Sequence, residues 1–361
     1  MTHLFEAFKL RDVSFSNRIG IPPMCQYSAC DGMASYWHFV HYGSRAAGGA
    51  ALMIIEATAI APEGRISPGD LGIWGDKHVE PLSRIARFAK GQGCVPAIQL
   101  AHAGRKASVG LGWQAQCTLA AADGGWRTVA PSPLAFGDNY APPDELDLAG
   151  IRQVIAQFVS AARRAHEAGF EAIEIHAAHG YLLHQFLSPL SNRRTDAYGG
   201  SFEGRIRLVR EVVDAMRMAW PERLPLLIRL SATDWAAGGW DIDETVELSR
   251  MLKASGVDLV DVSSAGLLPT AKIPAGPGFQ TEFAARVRRE AGIPTAAVGL
   301  ITSAAQADHI IRSQQADMVL IGREILRNPS WPLAAAQTLG QTVSWPPQYL
   351  RAAPAGTMGR T

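Results

Sequence analysis

Short apolar runs recur along the chain, and most are followed by a segment whose apolar positions repeat at helical spacing. The runs are IGIPPM from Ile19, ALMIIEAT from Ala51, VPAIQLAHAG from Val95, AIEIHAAH from Ala172, PLLIRLSA from Pro225, DLVDVSSAG from Asp258, PTAAVG from Pro294 and DMVLIGRE from Asp317. They are aliphatic and β-branched, without polar alternation, as parallel strands covered on both faces are. Between them, IRQVIAQFVSAARRAHEAG sets Ile151, Val154, Ile155, Phe158 and Ala162 on one helical face and ends at Gly169, a residue suited to a helix C-terminus. TVELSRMLKASG and TEFAARVRREAG repeat the pattern, each closed by Gly. Eight strand–helix alternations in 361 residues predict an α/β fold, a single (β/α)8 TIM barrel. A doubly wound sheet would need a GxGxxG loop after its first strand, and PPMCQYSACDG is not one.

One connection exceeds the usual strand–helix link. Residues 101–147 are rich in Gly, Pro, Trp and Asp, and predict an excursion over the catalytic mouth, with a short hairpin, inside a barrel spanning residues 1–340. The Pro/Gly-rich segment 341–361 is expected to be an extended tail.

Composition narrows the class. Hydrophobic residues make up 47% of the chain, and 34 Lys and Arg against 33 Asp and Glu leave a net charge of +1, so nothing points to nucleic acid or an anionic membrane as a partner. Of the four cysteines, Cys25, Cys30, Cys94 and Cys117, no two have CxxC spacing, which disfavours zinc-ribbon and iron–sulfur sites. The N-terminus lacks the pattern of a secretory signal, and no run is apolar enough to span a bilayer, so a cytoplasmic protein with reduced thiols is expected.

In such a barrel the chemistry lies at the C-terminal strand ends. Those ends carry Met24-Cys25, Glu56-Ala57, Gln99, His176 with His179 and Tyr181, Arg229, Ser263-Ser264, Gly299 and Gly322-Arg323. The last two ends could take a phosphate on backbone N–H groups and a guanidinium, or could simply close tight turns. His176-x-x-His179 invites a metal, and a metal-dependent barrel hydrolase is one reading. Yet a metal wants at least three protein ligands, and the other strand ends offer Gln, Arg, Ser and Cys, with Glu56 the one acid. Two further readings stand: a hydrogen-bonded structural pair, or two imidazoles donating to one substrate oxygen with Tyr181 as proton source. Gln99 as a plain strand-end amide, and Arg229 paired with Asp234 or Asp261, are the corresponding structural readings.

The stretches PPMCQYS, EATAIAPEGRIS, QLAHAGRKAS, EIHAAHGYLLHQFLSPLSNRRTDAYGGSFEGRIRLVRE and AVGLI…VLIGREILRNP resemble the old yellow enzyme family of flavin-dependent ene-reductases, in order and over nearly the whole chain. Cys25, where yeast-type members carry Thr, resembles the bacterial branch of xenobiotic reductases and thermophilic-like enzymes. The resemblance implies non-covalent FMN at the barrel mouth, reduction by NADPH or NADH, and reduction of an α,β-unsaturated carbonyl compound, with nitro compounds and nitrate esters as further substrates. Hydride would pass from flavin N5 to the β-carbon. It implies that His176 and His179 bind the carbonyl oxygen, that Tyr181 protonates the α-carbon, and that Cys25 tunes the flavin. Pro22, Pro23, Met24 and Cys25 would line the isoalloxazine, Ala57 and Gln99 would meet its polar edge, Arg229 would meet N1 and O2, and Gly299, Gly322 and Arg323 would hold the phosphate. Tyr27 and Lys106 are placed with the substrate. Arg351 is expected to reach a neighbouring subunit's site in a homodimer or homotetramer. Pro22 stands where some relatives have Ser; Trp235 and Trp240, and Trp113 and Trp126 in the excursion, fall in variable segments. Dienoyl-CoA reductases and amine dehydrogenases share the barrel but append domains and an iron–sulfur cysteine cluster, for which this sequence offers no match.

Overall fold

The computed structural model describes residues 2–356. Its centre is a closed barrel of eight parallel strands: β1 (Ile19–Ile21), β2 (Leu52–Ala59), β3 (Val95–Ala101), β4 (Ala172–Ala177), β5 (Leu226–Ser231), β6 (Leu259–Ser263), β7 (Thr295–Val298) and β8 (Met318–Leu320). Every expected run became a strand, neighbours in sequence are neighbours in space, and β8 pairs back onto β1. The helices that follow each strand are α1 (Tyr36–Ala47), α2 (Val79–Gly91), α3 (Leu148–Glu167), α4 (Phe202–Ala219), α5 (Ile242–Ala254), α6 (Thr281–Ala291), α7 (Ala304–Arg312) and α8 (Trp331–Thr338).

Local chemistry sets the helix ends. The side chains of Asp147, Ser201, Asp241 and Ser303 each accept a backbone N–H from the first turn of α3, α4, α5 and α7. Gly169 takes φ +88° just past α3, the left-handed conformation that lets its N–H cap His166. The apolar stripe of α3 buries Ile151, Val154 and Phe158 against the barrel.

Three features depart from the sequence expectations. Residues 8–10 and 13–15 form an antiparallel ribbon that the pattern did not suggest, and it buries Phe15 in the main core. In the excursion, antiparallel pairing is confined to the isolated bridge of Val109 with Thr118, and the two-stranded ladder is parallel: Val129–Ala130 pairs with Asp144–Glu145, because residues 131–143 carry the chain across before it returns. The tail is not extended throughout: Pro347–Ala352 forms a 3-10 helix, since proline at the first helical position has its φ already set and no N–H to lose. Residues 357–361 lie outside the described residues.

Candidate active site

At the C-terminal end of the barrel lies a cavity of about 500 Å³, lined by Pro22, Pro23, Met24, His179, Arg229, Ser263, Val298, Gly299, Leu300, Ile301, Thr302, Leu320, Gly322, Arg323, Glu324 and Arg327. Its walls come from the ends of β1, β5, β6, β7 and β8 and the turn after β4. Both arginines expected to meet the flavin, Arg229 and Arg323, are there. Arg229 is 5% exposed and lies against Asp261, Nε to Oδ2 2.6 Å. Arg323 is exposed and has no ion-pair partner among the described residues, while its neighbour Arg327 is taken by Glu324. At Gly322 a Cβ would project toward Pro22 Cγ at 3.7 Å and Met24 Sδ at 3.9 Å, so the bare backbone faces the cavity.

The turn after β4 brings His176, His179 and Tyr181 together. Their rings meet edge to face, with centroids 5.2 Å apart for the two histidines and 4.9 Å for His176 and Tyr181. His179 sits at φ +57° and Gly180 at +72°. At Gly180 no other residue fits: a Cβ would lie 2.1 Å from the Gly266 carbonyl oxygen. The turn after β6 thus packs directly on the turn after β4, and two side chains staple them. Lys106 Nζ donates to the carbonyls of His179 (2.9 Å) and Gly266 (3.0 Å). Ser231 Oγ accepts the His179 N–H and donates to the Ala265 carbonyl.

This packing fixes the imidazoles electrically. Burial first, and then the Arg229 charge, push both histidines well below their usual range, so both are neutral at pH 7. His176 Nδ1 accepts the Ala178 N–H, which leaves the proton on Nε2 as a free donor. His179 Nε2 lies 2.7 Å from Ser263 Oγ. No group of three His, Cys, Asp or Glu able to hold a metal converges among the described residues. None of the described residues hydrogen-bonds the Tyr181 hydroxyl. Burial, then Cys25 and Tyr27, push its phenol well above the usual value near 10, so it stays protonated.

Cys25 packs with Tyr181 and the excursion residues Trp126 and Tyr140 against Ile66, Ala103, Ala107 and Val109. The excursion therefore does cover this side of the mouth. Burial, then Asp70 and Glu56, raise the thiol well above its ordinary range, although the Ala57 backbone opposes the shift. The Cys25 loop is clamped from below by Glu56, whose carboxyl oxygens accept the Gln26 N–H at 2.7 Å and the Tyr42 hydroxyl at 3.0 Å. Glu56 and Ala57 occupy a register shift between β2 and β3, a bulge that aims this edge of the barrel. Ala57 and Tyr181 border a second, water-sized cavity.

Several sequence candidates stand apart from the large cavity. Gln99 is buried inside the barrel, donating to Glu174 at 2.7 Å. Tyr27, at φ +51°, packs edge-on to Trp113 beneath Gly112. Lys106 spends two of its three donors on backbone, and its Nζ lies 4.9 Å from the Tyr181 ring centre. Arg351 is exposed on the 3-10 helix of the tail, away from this chain's own cavity lining. Trp240, expected in a variable loop, is a buried residue stacked on Phe202, and Trp235 donates to Ser264. The sequence reading overlooked Glu174 and the stapling role of Ser231. Glu174 had a signal: it is a carboxylate in an otherwise apolar strand, two residues before His176 and hence on the same inward face.

Residues 3–341 match the model of the NADH:flavin oxidoreductase / NADH oxidase family. The chain is 48% identical over 352 residues to an NADPH dehydrogenase of Geobacillus sp. (strain WCH70), covering 97% of this chain and 98% of that one. Among solved structures it resembles morphinone reductase, with 27% identity, a TM-score of 0.78 and coverage of 99% and 93%. It also resembles the old yellow enzyme homologue from Zymomonas mobilis, with 25% identity, a TM-score of 0.79 and coverage of 98% and 99%.

Proposed function

The chain belongs to the NADH:flavin oxidoreductase / NADH oxidase family, as an FMN- and NAD(P)H-dependent oxidoreductase of the old yellow enzyme type, and from that premise we propose that it reduces the activated C=C bond of α,β-unsaturated carbonyl compounds, with nitro compounds and nitrate esters as further acceptors. The observation that carries this reading is the convergence of two neutral imidazoles and a protonated phenol beside a large cavity walled by Pro22–Met24 and flanked by two arginines.

The cavity suits FMN. Pro22, Pro23 and Met24 offer an apolar wall for a flat ring, Arg229 a cation for the edge where charge gathers, and Gly299, Gly322 and the unpaired Arg323 a seat for phosphate. Gln99, behind Arg229, and Ala57, beside Cys25, would support the ring's polar edge. FMN held there would supply hydride chemistry, replenished by the nicotinamide, for reduction at the β-carbon.

The protein's own part is electrostatic and protic. His176 donates its Nε2–H to the carbonyl oxygen, and His179 adds a second donor oriented through Ser263. Both act as neutral donors, so they stabilise negative charge on that oxygen without giving up a proton. Tyr181 delivers the proton to the α-carbon. Lys106 holds the His179 turn in place and lays a cation on the Tyr181 ring, while Tyr27 forms a wall toward the excursion. Cys25 remains a thiol, a weak donor beside the flavin.

The assembly we propose is an even-numbered homo-oligomer in which Arg351 closes a neighbour's site. Tyr349 and Leu350 beside it, and Tyr36 and Val40 on α1, are exposed apolar residues that support buried contacts between copies. Among the described residues no helix is long and apolar enough to cross a membrane.

A panel of enones, maleimides, nitroalkenes and nitrate esters, each with NADPH and NADH, tests the reading. Turnover of cyclic enones is expected; nicotinamide oxidation by oxygen alone, with no member of the panel reduced, would overturn it.

A further inference from the structure

Strands β3, β4, β5 and β6 bring Gln99, Glu174, Arg229 and Asp261 together in the barrel interior, each 5% exposed or less. Of the four, Arg229 lines the cavity. Two carboxyls thus face one guanidinium in a medium that penalises unbalanced charge. The hydrogen bonds do not suffice for two carboxylates. Glu174 Oε1 accepts from Gln99, but Glu174 Oε2 and both oxygens of Asp261 receive no hydrogen bond. Arg229 Nε is 2.6 Å from Asp261 Oδ2, yet its N–H is not aimed at it. Ionised, the two carboxyls would bring only lone pairs to one another, and a single proton between them would supply the missing donor.

We propose that Glu174 and Asp261 share one proton, so that Arg229 meets the cavity as part of a neutral triad and not as a free cation. Burial, followed by the Asp261 charge, lifts Glu174 to about 8, and burial also raises Asp261 against the pull of Arg229. The proton therefore resides on Glu174, which donates it to Asp261, and Asp261 balances Arg229. The other titratable groups facing this cluster are His176 and His179, both neutral, and Lys106 behind the His179 turn.

The consequence concerns the flavin, and here the proposal rests on the reading that Arg229 meets it. A free cation at that edge would favour the reduced, more negative flavin and make it a poorer hydride donor. The shared proton keeps Arg229 near enough to orient the ring while limiting that stabilisation. Glu174 and Asp261 are positioning residues, since neither lines the cavity.

The test uses the FMN-loaded protein in two measurements. Infrared difference spectroscopy of the parent against Glu174→Gln at pH 7 is expected to show the band of a protonated buried carboxyl, separate from that of Glu56, in the parent and not in the variant; no such difference overturns the proposal. Redox titration follows. Glu174→Gln replaces one neutral donor by another, and Asp261→Asn lets Glu174 ionise in its place, so each single variant should leave the flavin potential nearly unmoved. The double variant should raise the ratio of reduced to oxidised flavin at fixed solution potential at least tenfold, about 30 mV for a two-electron couple. Equal stepwise rises in both single variants would mean that both carboxyls are ionised, and would overturn the shared proton. An unmoved potential in the double variant overturns the proposal as well, and Arg229→Met then locates the fault. If that variant shifts the potential, the charge balance is wrong; if it does not, Arg229 is not at the flavin. Should the double variant fail to fold, the infrared result on the parent and Glu174→Gln decides alone.

Discussion

Tyr181→Phe separates the chemistry of this site from its architecture. The Tyr181 hydroxyl has no hydrogen-bond partner among the described residues, and its ring is held by the edge of His176 and by Lys106 Nζ, contacts a phenyl ring keeps. Removing the oxygen should therefore change stability by no more than about 0.5 kcal/mol, as at positions without a special interaction, and FMN should stay bound. Loss of a positioned general acid costs roughly 10²–10⁴-fold, or about 3–5 kcal/mol of barrier. That loss should fall on one half-reaction only. In anaerobic stopped flow, reduction of the flavin by NADPH should proceed at the parent rate, while reoxidation by 2-cyclohexenone should slow by two orders of magnitude or more. Because burial holds the parent phenol well above 10, reoxidation by the parent should show no decline from phenol ionisation up to about pH 10. Equal reoxidation rates in parent and variant would refute the proton-donor role; a slowing of both half-reactions would show that the ring, and not the hydroxyl, was needed.

Other outcomes follow from the same geometry. His176→Ala and His179→Ala should each weaken binding of a phenolate inhibitor by about 1.5–3 kcal/mol, the range for hydrogen bonds to a charged partner; fluorescence titration reads this, and parental affinity in both would remove the oxyanion site. Cys25→Ala or Cys25→Ser should shift the flavin potential while turnover persists; inactivity with FMN still bound would instead make the thiol essential. Truncation before Pro346 should raise substrate KM and weaken self-association with FMN retained, whereas a parent that sediments as a monomer, with kinetics unaltered by truncation, contradicts the shared site. Glu56 is raised by burial from near 4.5 to about 8, so folding favours its protonated form. Its contribution is fully present below about pH 4.5 and is lost as pH rises through 8, at most about 4–5 kcal/mol. Denaturant titrations of Glu56→Gln should show that decline flattened, and an identical pH slope in the variant would argue against the shift.

The barrel was legible because buried parallel strands have no polar alternation: AIEIHAAH and PLLIRLSA could be placed from their apolar runs alone. The strand-end rule then put His176, Arg229 and Gly322 at one mouth. What the sequence could not convey lies in contacts between distant segments. Lys106, placed with the substrate, also staples two turns that meet because Gly180 and Gly266 have no side chains, a role that spacing does not convey. Glu174 and Asp261 lie on different strands, and their pairing across the interior follows from barrel closure, not from spacing. Two prolines suggested an extended tail, yet the same fixed φ also begins a helix, and local sequence does not choose between them. The excursion's parallel pairing was equally hidden, since Gly and Pro mark where a chain turns but not which way it returns.

The proposed reaction sends hydride through FMN to the β-carbon and a proton from the protein to the α-carbon within one cavity. The most direct test is an anaerobic single turnover: the NADPH-reduced protein, freed of nicotinamide, is mixed with 2-cyclohexenone in D2O. Reoxidation of the flavin is expected, with one cyclohexanone formed per FMN, bearing deuterium at the α-carbon. A flavin that stays reduced in the presence of excess enone, or is reoxidised without forming the saturated ketone, would contradict it.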